Sequence, residues 1–208
     1  MTAPRPLLVG AHALLVELPS EEATEAFHTE LLRRRAAGQL PPVREIVPGA
    51  RTVLLDGLAE PEALAEELAR TPIPHLPPRE GAVVELPVRY DGPDLAEVAA
   101  LWQVSPDAVP KVLGGIVFRV AFTGFAPGFG YLSGLPGRYH TPRRATPRTS
   151  VPAGSVALAG PYAGVYPRSS PGGWQIVGST DARLWDPARE PAALLTPGAQ
   201  VRFTRVGP

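Results

Sequence analysis

Ile116-Val-Phe-Arg-Val-Ala-Phe-Thr123 runs directly into Gly124-Phe-Ala-Pro-Gly-Phe-Gly-Tyr-Leu-Ser-Gly-Leu-Pro-Gly137. The first stretch reads as a strongly apolar strand. The second is too rich in Gly for a packed strand or helix, and too apolar for an ordinary solvated loop. Beyond it, short apolar pieces at 155–159, 164–166, 174–178 and 201–204 are separated by Gly and Pro. That spacing predicts an all-β barrel or sandwich with shaped loops. Thirteen of the 21 Gly lie from Gly114 to Gly178, in the loops between these strands.

Upstream the pattern differs. Ala13-Leu-Leu-Val-Glu-Leu18 reads as a strand. Ser20 can cap a helix whose first turn carries Glu21 and Glu22, favourable to the helix dipole. Ala23, Ala26, Phe27 and Leu31 give it one apolar face. Arg33, Arg34 and Arg35 read as a solvated helix end, with Gly38 as terminator. Residues 43–47 and 52–56 read as strands joined by Pro48-Gly49. Pro61 opens a second helix carrying Leu64 and Leu68, and Thr71-Pro72 stops it. A further strand covers 83–90. The order β-α-β-β-α, closed by a strand, predicts a ferredoxin-like N-terminal domain. The Pro-rich segment 72–78, with His75 as a loop residue, reads as a linker between domains at 1–78 and 79–208. Two short helices are expected next. One spans 94–102 with Leu95, Val98 and Trp102 at helical spacing; the other is capped by Ser105 and ended by Gly114-Gly115. The fold class is α+β.

Composition narrows the function classes. Pro (27) and Gly (21) make up close to a quarter of the 208 residues, about twice the usual share. Yet 44% of the chain is hydrophobic and only 19% charged, enough for a core. No Cys is present, which excludes disulfides, zinc–thiolate sites, iron–sulfur clusters and thiol nucleophiles. The start lacks a long apolar signal segment and no run reaches about 18 apolar residues, so a cytoplasmic protein without a membrane span is expected. Twenty basic and 20 acidic residues leave no net charge, which disfavours electrostatic binding to nucleic acid or membrane. The neutrality is uneven. Residues 1–114 carry 17 acidic and 10 basic side chains, whereas 115–208 carry 3 acidic side chains and 10 Arg. The halves can attract each other, or the β half can hold an anion; charge placement alone does not choose.

Three segments can carry chemistry. In the first, Phe125, Phe129 and Tyr131 can line a pocket while the Gly residues admit close backbone approach; rigid packing of aromatics on the barrel is the plain alternative. No Gly-Lys-Ser/Thr follows, so it is not a phosphate-binding P-loop. In the second, 140–148, the Pro residues fix the directions of Arg143, Arg144 and Arg148, whose forks suit carboxylate or phosphate. A surface loop with unpaired Arg fits the same residues. His140 is a possible base without an assignable partner. In the third, Ser169 and Ser170 lack the Gly-x-Ser-x-Gly setting of a nucleophile. Ser170-Pro-Gly-Gly-Trp174 reads instead as a tight turn presenting backbone N–H groups to an oxyanion or phosphate. No His/Asp/Glu spacing points to a protein-only metal site.

Taken together, Gly124-Phe-x-Pro-Gly-Phe-x-Tyr-Leu, Thr141-Pro-Arg-Arg with Pro147-Arg148, Val151-Pro-Ala-Gly-Ser-Val, and Gly164-Val-Tyr-Pro with Ser170-Pro-Gly-Gly-Trp resemble the KipI/PxpB family. Its members are also known as the first subunit of allophanate hydrolase, or the B subunit of ATP-dependent 5-oxoprolinase. The resemblance runs from about Leu7 to Phe203. It implies a small N-terminal α/β domain and a C-terminal cyclophilin-like β-barrel. It also implies a non-autonomous component of an ATP-dependent amidohydrolase, acting with the A and C subunits of 5-oxoprolinase, of which the C subunit is itself cyclophilin-like. Together these would open 5-oxo-L-proline to L-glutamate, with ATP and Mg²⁺ bound at the complex. On the matching motifs, the implied substrate- or nucleotide-binding residues begin with Phe125, Pro127, Gly128, Phe129 and Tyr131. Arg143, Arg148, Pro152, Ser155 and Tyr166 follow, then Ser170, Gly172, Gly173 and Trp174. The catalytic nucleophile is not assigned. This chain has Tyr162-Ala163 where the family usually has Gln-Thr. Relatives of this kind include an inhibitor of a sensor histidine kinase, which gives a regulatory alternative. A stand-alone prolyl isomerase would rest on the implied fold alone, and fold does not carry function.

Overall fold

Residues 3–70, 72 and 83–207 are described by a computed structural model. Apart from Pro72, the expected linker with His75 lies outside the described residues. Two units are present, Met1–Glu80 and Gly81–Pro208.

The first unit contains β1 (Arg5–Val9), β2 (Ala13–Glu17), α1 (Glu21–Ala36), β3 (Glu45–Pro48), β4 (Thr52–Asp56) and α2 (Pro61–Arg70). Ser20 Oγ accepts from the Ala23 N–H at 3.2 Å and caps α1 as expected. Strand alternation turns Leu14, Val16, Val53 and Leu55 inward, where they pack with Phe27, Leu31, Leu64 and Leu68 of the helices. The sheet order is β1-β2-β4-β3, antiparallel throughout.

Two expectations need correction. The strand expected to close this sheet after α2 is not in it: Val83–Val88 pairs with a strand of the second unit. The outer position is filled from the N-terminus by β1, where Pro6 is tolerated because the strand is an edge. The Arg run is also more than a solvated end. Arg33 and Arg34 both bind Glu30 of α1, and Arg34 bridges to Glu67 of α2 at 2.8 Å.

The second unit begins with β5 (Val83–Val88), α3 (Leu95–Leu101) and α4 (Ala108–Gly114). Then come β6 (Phe118–Thr123), β7 (Gly130–Ser133), β8 (Arg148–Val151), β9 (Ser155–Ala159) and β10 (Tyr162–Val165). β11 (Ser170–Gly172), β12 (Gln175–Ser179) and β13 (Gln200–Arg205) complete it. Seven strands form one sheet in the order β12-β9-β10-β7-β6-β13-β5, and β8 pairs with β11 in a separate ribbon. The large sheet almost closes on itself, because Arg89 just beyond β5 exchanges two 2.8 Å backbone hydrogen bonds with Ser179 of β12. Gly92 continues this seam; a Cβ there would overlap the backbone of Ile176 and Val177. Val120, Leu132, Leu158, Val165, Val177 and Phe203 fill the interior, and Val98, Val109 and Leu113 of the two helices cover it. The architecture is α+β, with a nearly closed, barrel-like sheet.

The Gly-rich stretch after β6 also departs from expectation. Part of it is a strand, β7, paired with both β6 and β10. Gly130 suits this strand because a Cβ there would lie 3.2 Å from Leu195 Cβ and Val120 Cγ1. Ser105 does not cap α4, which starts only at Ala108 after a turn.

Candidate functional site

A pocket of about 580 Å³ opens on the second unit. Its walls come from the β6–β7 loop and β7, from the 142–143 segment, from the β9–β10 turn, and from β11 with the residues after it. Phe129 is the centre of the wall. Its ring meets Phe125, Tyr131, Tyr166 and Trp174 at centroid distances of 5.3, 5.0, 5.6 and 5.5 Å, all steeply tilted. Such edge-to-face contacts add stabilisation beyond area burial. Gly164 makes room for them, since a Cβ there would come within 2.8 Å of Phe129 Cζ and 3.1 Å of Trp174 Cζ3. Tyr131 stacks on Phe122 at 4.2 Å, and Tyr162 stands edge-on to both. Phe125 holds φ +66 and is 57% exposed, so a bulky ring is kept in the left-handed region at the rim. Strain of this kind collects where function needs it.

The polar groups are few. Arg143 lines the pocket and has no ion pair among the described residues. Burial pushes the Tyr166 phenol up, partly offset by the hydrogen bond from the Trp174 N–H and by the charges of Arg143 and Arg148. Ser170 Oγ is buried without a partner among the described residues.

Behind the pocket lies a carboxylate that in the sequence marks only the start of a helix. Asp94 occupies the N-cap position of α3, but its side chain does not cap. Asp94 Oδ1 accepts from Arg144 Nη1 at 2.8 Å and Arg148 Nη2 at 2.7 Å, and Oδ2 accepts from the Ile176 N–H at 2.7 Å. Burial alone would push this carboxyl up. The hydrogen bonds from Arg148 and Ile176, with the charges of Arg148 and Arg144, outweigh it and hold the group below the ordinary carboxylate value.

Of the residues singled out from sequence, Phe125, Phe129, Tyr131, Arg143, Tyr166, Gly172, Gly173 and Trp174 meet at this pocket. Pro127 and Gly128 line a separate hollow of about 430 Å³ with Phe125, Trp185 and Leu195. Arg148 is tied to Asp94, and Pro152 and Ser155 sit outside the pocket lining, at the turn into β9. Ser170 lies opposite Val151 in the β8–β11 ribbon. His140 faces the Leu135 carbonyl at 3.1 Å. The pocket also recruits Pro142, Ala159, Gly160, Tyr162 and Pro171, which sequence spacing does not pick out as site residues. Pro142 and Pro171 lie inside the Arg and Gly-Gly motifs, and Tyr162 is legible only as the departure from the family's usual Gln.

Residues 4–195 match the family model for the carboxyltransferase domain, subdomain C and D. The chain belongs to this family. The match spans nearly its whole length, and the motifs place it with the KipI/PxpB members. Within the family, it is 42% identical to the B subunit of 5-oxoprolinase from Escherichia coli O157:H7, over 98% of this chain and 96% of that protein. It is 46% identical to the B subunit of 5-oxoprolinase from Bacillus subtilis strain 168 over 60% of this chain and 53% of that relative. Among solved structures, TTHA0988 superposes with TM-score 0.77 at 35% identity, over 94% of this chain and 41% of the larger protein. The family fold thus also occurs as part of a longer chain. No helix among the described residues is long and apolar enough to cross a membrane.

Proposed function

We propose that this chain is the B subunit of an ATP-dependent 5-oxoprolinase, converting 5-oxo-L-proline, ATP and water to L-glutamate, ADP and phosphate. The observation that carries the reading is the aromatic pocket lined by Arg143, a guanidinium without an ion pair among the described residues, in a chain that matches a named 5-oxoprolinase component over 98% of its length. 5-Oxoproline is a small flat lactam bearing one carboxylate. The ring suits edge-on aromatic walls, and the carboxylate suits an arginine fork.

The chemistry fits a site without a thiol or activated serine. A lactam is a stable amide. Transfer of the terminal phosphoryl group of ATP to its oxygen, with ADP leaving, activates the carbon. Water adds there, the ring C–N bond breaks with the nitrogen leaving as the amine, and a second water hydrolyses the resulting acyl phosphate to carboxylate and phosphate. Such a transfer relies on positioning and electrostatic stabilisation more than on a side-chain nucleophile. In this reading Mg²⁺ enters on the nucleotide phosphates at the assembled complex. The A and C subunits, the latter cyclophilin-like as this barrel is in our reading, would supply the remaining groups.

The test is reconstitution. This chain, purified with candidate A and C subunits, is given 5-oxoproline, ATP and Mg²⁺, and glutamate and phosphate are assayed. The expected result is ATP hydrolysis that depends on 5-oxoproline and on this chain. Absence of such turnover in every combination of the three components overturns the reading. Inhibition of a co-occurring histidine kinase by this chain alone would then support a regulatory role.

A further inference from the structure

We propose that Asp94 is a positioning residue of this pocket: one buried carboxylate ties the two walls of the pocket mouth together and so aims Arg143. The inference rests on the 5-oxoproline reading for its ligand, but its physical content is a clamp that can be tested without any ligand.

The first wall is the segment from Thr141 to Arg148. It is anchored at its start, where Thr141 exchanges backbone hydrogen bonds with Gly160 and its Oγ1 accepts from Trp102 Nε1 at 3.1 Å. The second wall is the Gly172–Gly173–Trp174 turn, which continues into β12. A direct clip joins them, because the Arg144 N–H donates to the Gly173 carbonyl at 2.8 Å. Asp94 supplies the rest. Its Oδ1 takes Arg144 and Arg148 of the first wall, and its Oδ2 takes the Ile176 N–H two residues beyond Trp174. The Asp94 N–H also donates to the Ile176 carbonyl at 3.0 Å.

Arg143 therefore stands next to a pinned residue and against a pinned wall, with its own guanidinium unpaired among the described residues. The three arginines divide the work. Arg144 and Arg148 commit their charge to Asp94, which is 3% exposed, and only Arg143 faces the pocket. A buried carboxylate persists only when paired and hydrogen-bonded; removing its charge leaves two guanidinium groups without this counter-ion, and the segment loses its anchor.

Phenylglyoxal, which modifies accessible arginines, reads the clamp in the intact protein, with peptide mass spectrometry reporting each site. Arg143 is expected to react about tenfold faster than Arg144 and Arg148 in the wild type, a difference that Asp94→Asn erases. Equal rates in the wild type, or undiminished protection in the variant, overturn the clamp. The assembled complex then reads its consequence. Asp94→Asn is expected to raise KM for 5-oxoproline about tenfold with a much smaller change in kcat, as for lost ground-state binding. The double variant Asp94→Asn/Arg143→Ala should be no worse than Arg143→Ala alone, because the clamp acts through that side chain. Additive losses overturn the positioning role. If Asp94→Asn does not fold, Arg148→Met, which leaves the carboxylate paired with Arg144, carries the KM readout and the reactivities of Arg143 and Arg144. A wild-type complex indifferent to 5-oxoproline overturns the ligand assignment, while the reactivity pattern still decides the clamp.

Discussion

Gly172 lies against the hydroxyl of Tyr166 so closely that a Cβ at residue 172 would overlap the phenolic oxygen and come within 2.9 Å of Cζ. The glycine is thus part of the Tyr166 site, and the Gly-Gly turn is shaped by a side chain packed against it. Gly172→Ala should force Tyr166 or β11 to move. A destabilisation of about 1–3 kcal/mol is expected, as for overpacking, with weakened pocket binding. Tyr166→Phe in the same chain should relieve only part of the loss, since Cζ remains too near. Chemical denaturation of the single and double variants measures both effects.

Arg143→Ala should weaken 5-oxoproline binding by about 1.5–3 kcal/mol, the range for a hydrogen bond to a charged group. Arg143→Lys should recover only part, because an ammonium lacks the planar fork. Calorimetric titration of the complex checks this. Equal affinity in all three proteins would remove Arg143 from the site.

The depressed pKa of Asp94 ties stability to pH. Its contribution is fully present above the unfolded value, near pH ~4, and is lost as pH falls through the lower folded value. Asp94→Asn should therefore cost about 3 kcal/mol at neutral pH, as for breaking a buried pair. The gap to wild type should shrink steadily below about pH 4. Thermal melts of both proteins from neutral pH down into acid test the sign; a gap that widens in acid contradicts it.

Tyr90 presents the opposite case. Its hydroxyl is buried without a hydrogen-bond partner among the described residues, and burial pushes its pKa up to about 12, slightly opposed by the charge of Arg205. Tyr90→Phe removes an unsatisfied polar atom and keeps the ring. It should stabilise the protein by up to about 1 kcal/mol, seen as a raised Tm with unchanged activity.

Local patterns were legible where they depended on local physics. The Ser20 cap, the apolar faces of α1 and α2, and the strands at 52–56, 155–159 and 201–204 follow from spacing and capping chemistry. The edge strand Arg5–Val9 was hidden by its proline, which an edge tolerates and a central strand does not. β7 was hidden by its glycine, which answers to Leu195 and Val120 and to nothing nearby in the chain.

By itself the sequence determined an α+β chain with an apolar, Gly-punctuated β half, no thiol chemistry, and the aromatic, Arg and Gly-Gly motifs of the KipI/PxpB family. Tertiary structure alone decided which motif residues meet. Arg143, Arg144 and Arg148 share one short stretch and are chemically equal in sequence. They differ because a carboxylate far upstream, brought alongside by closure of the sheet at Arg89 and Ser179, pairs with two of them. Ion pairing depends on distance in space, and sequence spacing carries no measure of that across a barrel seam.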